Sequence, residues 1–200
     1  MNETIFSVVI PTYNSAKMIH RALESLLSQS FDDFEILVMD DGSTDNTAEV
    51  VASFSNKKII YKWDKNFGGP AKPRNRGISL AKGDWICFLD ADDWWTTDKL
   101  QTCFDCIDDK VDLVYHGLDI VSDKSLTFKR KTINSWQVKT PVFEDLLLKG
   151  NPIANSSVVV RKNLLEKIGG INESKKMIAA EDYNTWLRIA QLTNNFVYLR

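Results

Sequence analysis

Short apolar runs alternate with longer amphipathic stretches along the first hundred residues. The runs predict four strands, at residues 6–10, 35–39, 58–63 and 85–89. After the first run, apolar residues at positions 19, 22, 23, 26 and 27 follow helical spacing, and Asn14 or Ser15 can cap the helix that they predict. Two more helices are expected, at residues 45–54 and after the turn at residues 66–73, the second of which ends at Gly83.

This alternation of strand and helix is typical of a parallel sheet with helices on both faces. The predicted fold is therefore α/β, a Rossmann-like three-layer sandwich with a mostly parallel central sheet. Three polar clusters follow the first, second and fourth strands, at residues 11–14, 40–43 and 90–93. The carboxyl ends of parallel strands share one edge of the sheet, so we expect these clusters to converge where open α/β sheets bind ligands.

The second half of the chain is less regular. Helices are predicted at residues 97–107, 142–149, 162–168 and 181–192, and strands at residues 111–115, 118–121, 125–133, 156–160 and 196–199. No linker, repeat or low-complexity segment is visible, so residues 1–200 are predicted to form a single domain. The last predicted strand runs up to the C-terminus, which leaves open whether this half continues beyond it.

Composition and charge narrow the class of protein. Hydrophobic residues make up 44% of the chain and charged residues 26%, as in soluble globular domains. A net charge of −2 does not provide the strongly basic face expected of a nucleic-acid-binding protein. No apolar run is long enough to span a bilayer, no signal peptide is recognisable, and three cysteines suit a reducing compartment. We therefore expect a cytoplasmic protein, and a peripheral association with the inner face of the membrane stays open.

Three carboxylates stand directly after the fourth predicted strand. Asp90, Asp92 and Asp93 follow an apolar run that cannot hold unpaired buried acids, so they must lie where the strand leaves the core. Neighbouring carboxylates repel one another, and their oxygens suit Mg²⁺ or Mn²⁺, so a divalent cation would stabilise them. The alternative is a loop of solvated acids that caps the next helix.

Together, five segments closely resemble the family 2 glycosyltransferases, which have the GT-A fold. They are residues 7–14 (SVVIPTYN), 38–45 (VMDDGSTD), 66–77 (with NFGGPA and RNRG), 90–92 (DAD) and 181–188 (EDYNTWLR). The segments follow the family's order over nearly the whole chain. The resemblance implies a nucleotide-sugar-binding half at about residues 1–95 and an acceptor-binding half at about residues 96–200.

For the donor, the resemblance implies that Asp41 binds the base of a nucleotide, usually uracil. Pro11, Thr12 and Tyr13 would line the same pocket. These residue types suit the task, because a carboxylate can accept a hydrogen bond from a ring N–H and a tyrosine ring offers a flat face for stacking. Residues 40–43 also predict a turn that caps the following helix, and Asp40 is expected to be more structural than Asp41.

Arg74 and Arg76 are the arginines of the segment at residues 66–77. We expect them either to reach the diphosphate or to brace the acids after the fourth strand, since arginine suits bidentate pairing with anions. The glycines of this segment match no Walker or dinucleotide fingerprint. A plain helix entry is therefore the alternative.

The resemblance assigns direct metal binding to Asp92 and places Asp90 nearer the ribose or behind the metal ligands. The expected cofactor is Mn²⁺ or Mg²⁺, which would bridge the two phosphates and stabilise charge on the departing nucleoside diphosphate. Members of the family often add a further ligand, frequently His, beyond the Glu-Asp helix. This chain has only His20 and His116, and both lie upstream.

Glu181 and Asp182 begin the helix predicted at residues 181–192, and the resemblance assigns the catalytic base to Asp182. Inverting sugar transfer needs a carboxylate that takes the proton of the acceptor hydroxyl. Adjacent helical residues point about 100° apart, so only one of the two can act, and Glu181 is expected to be an orienting residue on the acceptor side. A solvated capping pair is the alternative. Trp186 either stacks on the acceptor sugar or belongs to the core.

The predicted function is that of a metal-dependent, inverting hexosyl- or N-acetylhexosaminyltransferase. It would move a sugar from a nucleoside diphosphate sugar, with UDP expected, to a hydroxyl of a glycan or lipid-linked acceptor in polysaccharide biosynthesis. One alternative is a pyrophosphorylase-like nucleotidyltransferase, which needs a Gly-rich, Arg-containing loop where this chain has residues 11–14. The other is a non-catalytic nucleotide-sugar-binding module, against which the intact acids argue. The sequence indicates neither the sugar nor the oligomeric state.

Overall fold

The computed structural model describes residues 5–121, 131–133 and 135–200. Its strands are β1 (Phe6–Thr12), β2 (Phe34–Asp40), β3 (Ile59–Trp63), β4 (Trp85–Phe88), β5 (Leu113–His116), β6 (Leu118–Ile120), β7 (Lys131–Ile133), β8 (Val159–Arg161) and β9 (Phe196–Leu199). Its helices are α1 (Ile19–Leu27), α2 (Thr47–Ser53), α3 (Ala71–Leu80), α4 (Lys99–Cys106), α5 (Val142–Lys149), α6 (Lys162–Lys167) and α7 (Glu181–Ala190). None of the helices in these residues is long and apolar enough to cross a membrane.

Seven strands form the central sheet, in the order β3-β2-β1-β4-β8-β5-β9, and β6 and β7 form a separate antiparallel pair. The neighbours β3-β2, β2-β1, β1-β4 and β5-β9 are parallel. Strand β8 is antiparallel to both β4 and β5. The predicted α/β fold with a mostly parallel central sheet is confirmed. Because β8 opposes both neighbours, β4 and β5 run in the same direction and end at the same edge.

The helices cover both faces of this sheet, as the sequence pattern predicted. Successive residues of a strand point to opposite faces. Val9 packs into a core with residues of α3, α5 and α7, whereas the preceding Val8 packs into a second core with residues of α1, α2 and α4. The carboxyl edge of the sheet therefore lies between two packed layers, which hold the loops above it in place.

Helix α1 begins later than predicted, at Ile19, and no side chain caps it. Asn14 instead adopts a positive φ of 48°, and its side-chain oxygen accepts hydrogen bonds from the amides of Thr44 and Asp45, at 2.8 and 3.3 Å. Capping by Asn14 or Ser15 is therefore wrong. The side chain of Asn14 ties the end of β1 to the turn after β2.

Helix α3 ends at Leu80, so the prediction that Gly83 terminates it is also wrong. A Cβ at Gly83 would lie only 2.7 Å from the carbonyl oxygen of Ile5. The glycine therefore allows two chain segments to approach closely, for which a side chain leaves no room.

Two predictions in the second half need correction or restriction. Residues 155–157 form a 3₁₀ turn, and the strand predicted at residues 156–160 is the shorter β8. Of the strand predicted at residues 125–133, residues 131–133 form β7 and the rest lies outside the described residues. The other predicted strands and the remaining predicted helices begin and end within two residues of the observed bounds, apart from the beginnings and ends discussed above.

Candidate active site

A cavity of about 510 Å³ opens at the carboxyl edge of the sheet, where β1, β2 and β4 end. The loop after β3 and the start of α3 form its opposite wall. A cavity of this size suits a small-molecule ligand. It brings together Pro11, Thr12, Tyr13, Asp41, Arg74, Asp90 and Asp92, seven of the residues predicted to bind nucleotide or metal.

Thr12 and Tyr13 offer this cavity two different kinds of contact. Thr12 is buried, and its hydroxyl has no hydrogen-bond partner within the described residues. A buried hydroxyl without a partner costs free energy unless a ligand or water satisfies it. Tyr13 is 52% exposed, and its ring face can stack on a flat ligand. Both residues are therefore suited to hold a ligand that is partly polar and partly aromatic.

Asp40 and Asp41, at the end of β2, have different partners. Asp40 is fully buried and accepts hydrogen bonds from the hydroxyl of Tyr61 at 2.6 Å and the amide of Ser43 at 2.7 Å. It is the structural acid, as predicted. Asp41 accepts from the amides of residues 67 and 68, at 3.0 and 3.1 Å. A carboxylate has about four acceptor positions, so Asp41 can hold this loop and still accept from a ligand.

The turn after Asp41 depends on Gly42, which has a φ of 86°. A Cβ at this position would lie 2.6 Å from the amide nitrogen of Asn66. The side-chain amide of Asn66 in turn donates to the carbonyl oxygen of Asp41 at 2.7 Å. The loop after β3 is therefore fixed against the end of β2 by a close approach that only glycine permits.

The three acids after β4 lie in different environments. Asp92 is exposed where it lines the cavity. Asp90 is half-buried and accepts a hydrogen bond from Arg74 at 2.6 Å. Burial raises the pKa of Asp93, and its hydrogen bond with Ser156 opposes that shift. Asp92 is thus the acid that is most available to a ligand in the cavity.

Arg74 is only 4% exposed and joins two distant acids. Its two terminal nitrogens lie 2.6 Å from an oxygen of Asp90 and 2.9 Å from an oxygen of Glu181. Burial alone would lower the pKa of Arg74, but the charges of these two carboxylates outweigh burial and raise it. Of the two predicted roles for Arg74, the structure contains the brace between acids.

The structure does not bring Arg76 to this cavity. Two residues along a helix correspond to a rotation of about 200°, so Arg74 and Arg76 point to nearly opposite sides of α3. Arg76 forms an ion pair with Asp64 at 3.3 Å, beside the end of β3. The predicted contact of Arg76 with a diphosphate therefore has no support in this geometry.

Glu181 and Asp182 begin α7 with different surroundings. Glu181 is buried against Arg74, so the solvated capping pair is the wrong interpretation for Glu181. Asp182 is half-buried, and one of its oxygens accepts a hydrogen bond from the amide of Tyr183 at 2.6 Å. Burial raises the pKa of Asp182, and the charges of Glu181 and Asp90 raise it further, against the amide and Arg74. A carboxylate with a raised pKa is a stronger base, so Asp182 is suited to accept a proton.

Trp186 does not face an acceptor. It is 1% exposed, and its ring centroid lies 6.3 Å from that of Phe88 in the core. On α7, the buried residues at positions 185, 186 and 189 face the sheet. The prediction that Trp186 binds the acceptor is therefore wrong, and its alternative, a place in the core, is correct.

Three polar residues of the second half support the acids and were not predicted from the sequence. The hydroxyl of Ser156 accepts from the amide of Asp90 at 3.1 Å, and the side-chain amides of Asn155 and Asn151 approach Asp90 and Asp182 at 3.4 and 3.5 Å. These residues precede β8, whose antiparallel direction brings its amino end to the carboxyl edge of the sheet. The polar run before β8 could have indicated these residues if the direction of β8 in the sheet had been known. The sequence does not give that direction.

A metal ion would find an incomplete ligand set in the protein alone. Within the described residues, no group of three or more His, Cys, Asp or Glu side chains is arranged to hold one. His20 and His116 do not line the cavity. Asp90 and Asp92 nevertheless supply hard oxygen ligands, and Mg²⁺ is commonly held by one or two carboxylates together with substrate phosphates. The donor set fits a metal ion that arrives with a phosphorylated ligand.

Comparisons with known proteins identify relatives of this chain. Residues 7–169 match the model of glycosyl transferase family 2. The amylovoran biosynthesis glycosyltransferase AmsB of Erwinia amylovora is 34% identical over an alignment that covers 100% of this chain and 68% of AmsB. The UDP-Glc:alpha-D-GlcNAc-diphosphoundecaprenol beta-1,3-glucosyltransferase WfgD of Escherichia coli is 29% identical over 97% of this chain and 73% of WfgD.

Solved structures show the same fold. The crystal structure of Staphylococcus aureus TarS 1-349 in complex with UDP-GlcNAc superposes with a TM-score of 0.80 at 28% identity. The superposition covers 98% of this chain and 56% of the TarS chain, so the chain spans little more than half of that relative. The predicted GT-A fold is confirmed.

Proposed function

The chain belongs to glycosyl transferase family 2, and we propose that it transfers a sugar from a UDP-sugar to a hydroxyl group of a glycan or lipid-linked acceptor. The transfer would invert the anomeric carbon and depend on Mn²⁺ or Mg²⁺. The observation that carries this proposal is one cavity in which the exposed ring of Tyr13, the buried Asp41 and the exposed Asp92 meet. About residues 1–95 would bind the donor, and about residues 96–200 the acceptor.

Recognition of the donor base would rest on Asp41 and Tyr13. Asp41 is held by the amides of residues 67 and 68 and retains acceptor capacity for the ring N–H of uracil. Tyr13 supplies a face for stacking, and the unpaired hydroxyl of Thr12 supplies a polar contact. Uridine is supported by the relatives, because TarS has been crystallised with UDP-GlcNAc and WfgD is named for UDP-Glc.

Asp92, with Asp90 beside it, would hold the divalent metal against the diphosphate. Such a metal stabilises negative charge on a departing phosphate group, an effect worth several kcal/mol. Arg74 would contribute by keeping Asp90 in place, since its guanidinium pairs with Asp90 and Glu181 together. The buried framework below the metal position is therefore provided by the protein itself.

Asp182 would take the proton of the acceptor hydroxyl. Glu181 is engaged by Arg74, which leaves Asp182 as the carboxylate of this pair that is free to act. The raised pKa of Asp182 favours proton transfer, which typically contributes about 10²–10⁴-fold to the rate. Glu181 would act as the orienting residue, because it holds Arg74 in place and the charge of Arg74 acts on Asp182.

The acceptor class is supported by the relatives alone. WfgD is named for a diphosphoundecaprenol-linked acceptor, and AmsB for amylovoran biosynthesis. A lipid-linked acceptor would bring the protein to the inner face of a membrane.

The end of β1 argues against a pyrophosphorylase-like enzyme. Residues 11–14, which include the last two residues of β1, do not form the Gly-rich, Arg-containing loop that such an enzyme needs.

Thermal unfolding with UDP, GDP and UDP-sugars, with and without Mn²⁺, tests the proposal. A ligand at about 100 times its Kd adds roughly 2.7 kcal/mol to the free energy of unfolding, and UDP with Mn²⁺ should give the largest shift. Asp92→Ala should abolish the Mn²⁺ dependence without lowering the melting temperature of the free protein. Asp64→Ala is the matched control, since Asp64 lies at the end of β3 and pairs with Arg76 outside the cavity.

Turnover separates an enzyme from a binding module. Release of UDP from a UDP-sugar, in water or with acceptors, should occur in the wild type and fail in Asp92→Ala. Tight binding of UDP with no release from any UDP-sugar tested would favour the non-catalytic module. No preference for UDP over GDP would overturn the donor assignment.

A further inference from the structure

A second cavity opens at the same edge of the sheet, beyond the acids that follow β4. It has a volume of about 540 Å³ and lies between the start of α4, the end of β5, the β6-β7 pair and the end of β9. An adjoining space of about 450 Å³ shares Lys99 and His116 with it and continues to Asp93 and Ser156. Strands β4 and β5 are separated by β8 alone, so their ends lie about 10 Å apart.

Lys99 is the unusual residue of this cavity. It is only 5% exposed, and its ammonium group has no hydrogen-bond partner and no ion pair within the described residues. The ammonium lies 3.7 Å from the centroid of the Trp95 ring, which offsets part of the cost of burying a charge. Asp98 and Asp119 also line the cavity, and both are exposed. A buried ammonium with three unused donors is best satisfied by an anionic acceptor, since water can accept its hydrogen bonds but neutralises no charge.

His116 presents the opposite kind of group to the same space. Its Nδ1 lies 2.8 Å from the carbonyl oxygen of Gly117, which can only accept, so Nδ1 carries the proton. Burial lowers the pKa of His116 to about 4, and the ring is therefore neutral at pH 7. Its Nε2 is then an acceptor, and it is buried without a partner in the described part of the chain. The cavity thus combines an unpaired cation with an unpaired neutral acceptor.

We propose that this cavity binds an anionic carbohydrate, with a phosphate ester or carboxylate at Lys99 and a sugar hydroxyl that donates to His116. A neutral sugar would leave the ammonium unpaired, and a fully ionised small anion would offer no donor to Nε2. The volume exceeds what a single phosphate group fills, and Tyr198 supplies an aromatic wall of the kind that packs against sugar rings. The continuation reaches Asp93, the residue after Asp92 of the donor cavity. The proposed binding does not rest on the proposed function.

The two histidines of the chain allow a direct test by NMR. His116 lines the cavity, and His20, on the exposed side of α1, serves as an internal reference. Glucose 6-phosphate and glucuronate are titrated at constant pH and ionic strength, in the absence of UDP and metal. At least one of them should shift the ring signals of His116 saturably and leave those of His20 in place. Glucose at the same concentrations should move neither histidine.

Two lysine variants assign the effect to the buried ammonium. Lys99→Met keeps the length of the side chain without its charge, and loss of a charged hydrogen bond should weaken the apparent affinity at least about tenfold. Lys110→Met, at an exposed position after α4, should bind as the wild type does. A dispersed amide spectrum of Lys99→Met establishes that this variant is folded.

Three results would overturn the proposal. One is a His116 signal that no anionic sugar moves, and another is an unchanged affinity in folded Lys99→Met. The third is an equal affinity for inorganic phosphate and glucose 6-phosphate, which would reduce the cavity to a simple anion site. Saturable binding that depends on Lys99 and prefers the sugar derivative would support it. Because UDP is absent throughout, a failure here leaves the proposed donor chemistry untouched.

Discussion

Two buried cations, Arg74 and Lys99, occupy neighbouring regions of the sheet edge in opposite surroundings. Arg74 is paired with Asp90 and Glu181, whereas Lys99 contacts an aromatic ring and no acid within the described residues. Burying a charge is costly unless the structure pairs it. The charge of Arg74 is thus neutralised by its own ion pairs, even though its Nε has no hydrogen-bond partner among the described residues, whereas the charge of Lys99 is left to a ligand. Burial alone therefore does not tell whether a charged side chain stabilises the fold or binds a ligand. The presence or absence of an oppositely charged partner in the protein does.

If the reaction takes place in the Arg74 region alone, Asp182→Asn should have the largest effect on turnover of all the variants considered. A neutral amide cannot act as the base, so turnover should fall by about 10²–10⁴-fold while UDP affinity and the His116 response persist. In the wild type, the acid limb of the pH–rate profile should lie above the ordinary Asp pKa of 3.8, because burial raises the pKa of Asp182. Initial rates of UDP release at a series of pH values measure both. Near-normal turnover would make Asp182 a helix cap, and loss of UDP binding would place it in the donor site.

The same variant makes a prediction about stability. A carboxyl whose pKa is raised by folding stabilises the folded state below its unfolded pKa, and this contribution is lost as the pH rises through the folded pKa. At pH 7 the ionised Asp182 is therefore unfavourable to folding, and Asp182→Asn should raise the free energy of unfolding slightly. Urea denaturation at pH 7 checks the sign. A variant that loses both activity and stability would argue for a structural role.

Arg74→Met tests whether the buried ion pairs of Arg74 stabilise the fold. It should have the next largest effect, which is a loss of free energy of unfolding. It leaves Glu181 buried without its partner, and removal of one member of a buried ion pair typically costs about 3–5 kcal/mol. Urea denaturation at pH 7 measures the loss. Arg76→Met is the control on the same helix, because Arg76 forms an ion pair at the surface that should contribute less than about 1 kcal/mol. A loss in Arg74→Met no larger than in the control would show that the pairing does not support the fold.

Asp41→Asn asks whether the donor cavity recognises a base. The variant keeps an oxygen for the loop amides but loses the charge, and a hydrogen bond to a charged group contributes about 1.5–3 kcal/mol. Calorimetry should therefore find weaker UDP binding and a smaller preference for UDP over GDP. Asp64→Asn, outside the cavity, should bind as the wild type does. Unchanged base preference would restrict Asp41 to its contacts with residues 67 and 68.

Lys99→Met should have the smallest effect on stability, and its sign should oppose that of Arg74→Met. Replacing a buried, unpaired ammonium with an apolar side chain of similar length removes a cost, so the free energy of unfolding should stay constant or rise by about 1 kcal/mol. Urea denaturation without added anions tests this. A loss of more than about 2 kcal/mol would mean that the charge is already paired and that the two regions do not differ.

The donor half could be predicted well from the sequence because its signals are local. Each polar cluster follows an apolar strand directly, and parallel pairing then brings the clusters to one edge. Helix α5 and strand β9 were also predicted with correct ends, since short periodic segments there are bounded by Pro, Gly or Asn. Boundaries failed where a distant segment decides them, as at Gly83, which is required by the approach of Ile5.

The rest of the site could not be predicted, because it depends on which way β8 runs and which residues α7 turns inward. Ser156 and Asn155 reach Asp90 only because β8 is antiparallel to β4. Trp186 is in the core because α7 lies flat on the sheet, which its sequence leaves open. Lys99 gave no signal at all, since a charged residue at the start of a helix is usually solvated. Only the tertiary structure shows that it is buried.

The link between Arg74 and Glu181 makes the donor cavity depend on both halves of the chain. These residues are 107 positions apart, and their contact ties α3 to α7. A fragment comprising residues 1–95 would contain Asp41, Asp90 and Asp92 of the cavity. It would lack the proposed base, and its Arg74 would keep only one of the two carboxylates that pair with it. The charge balance beneath the donor cavity is therefore set by a residue from the other half of the sequence.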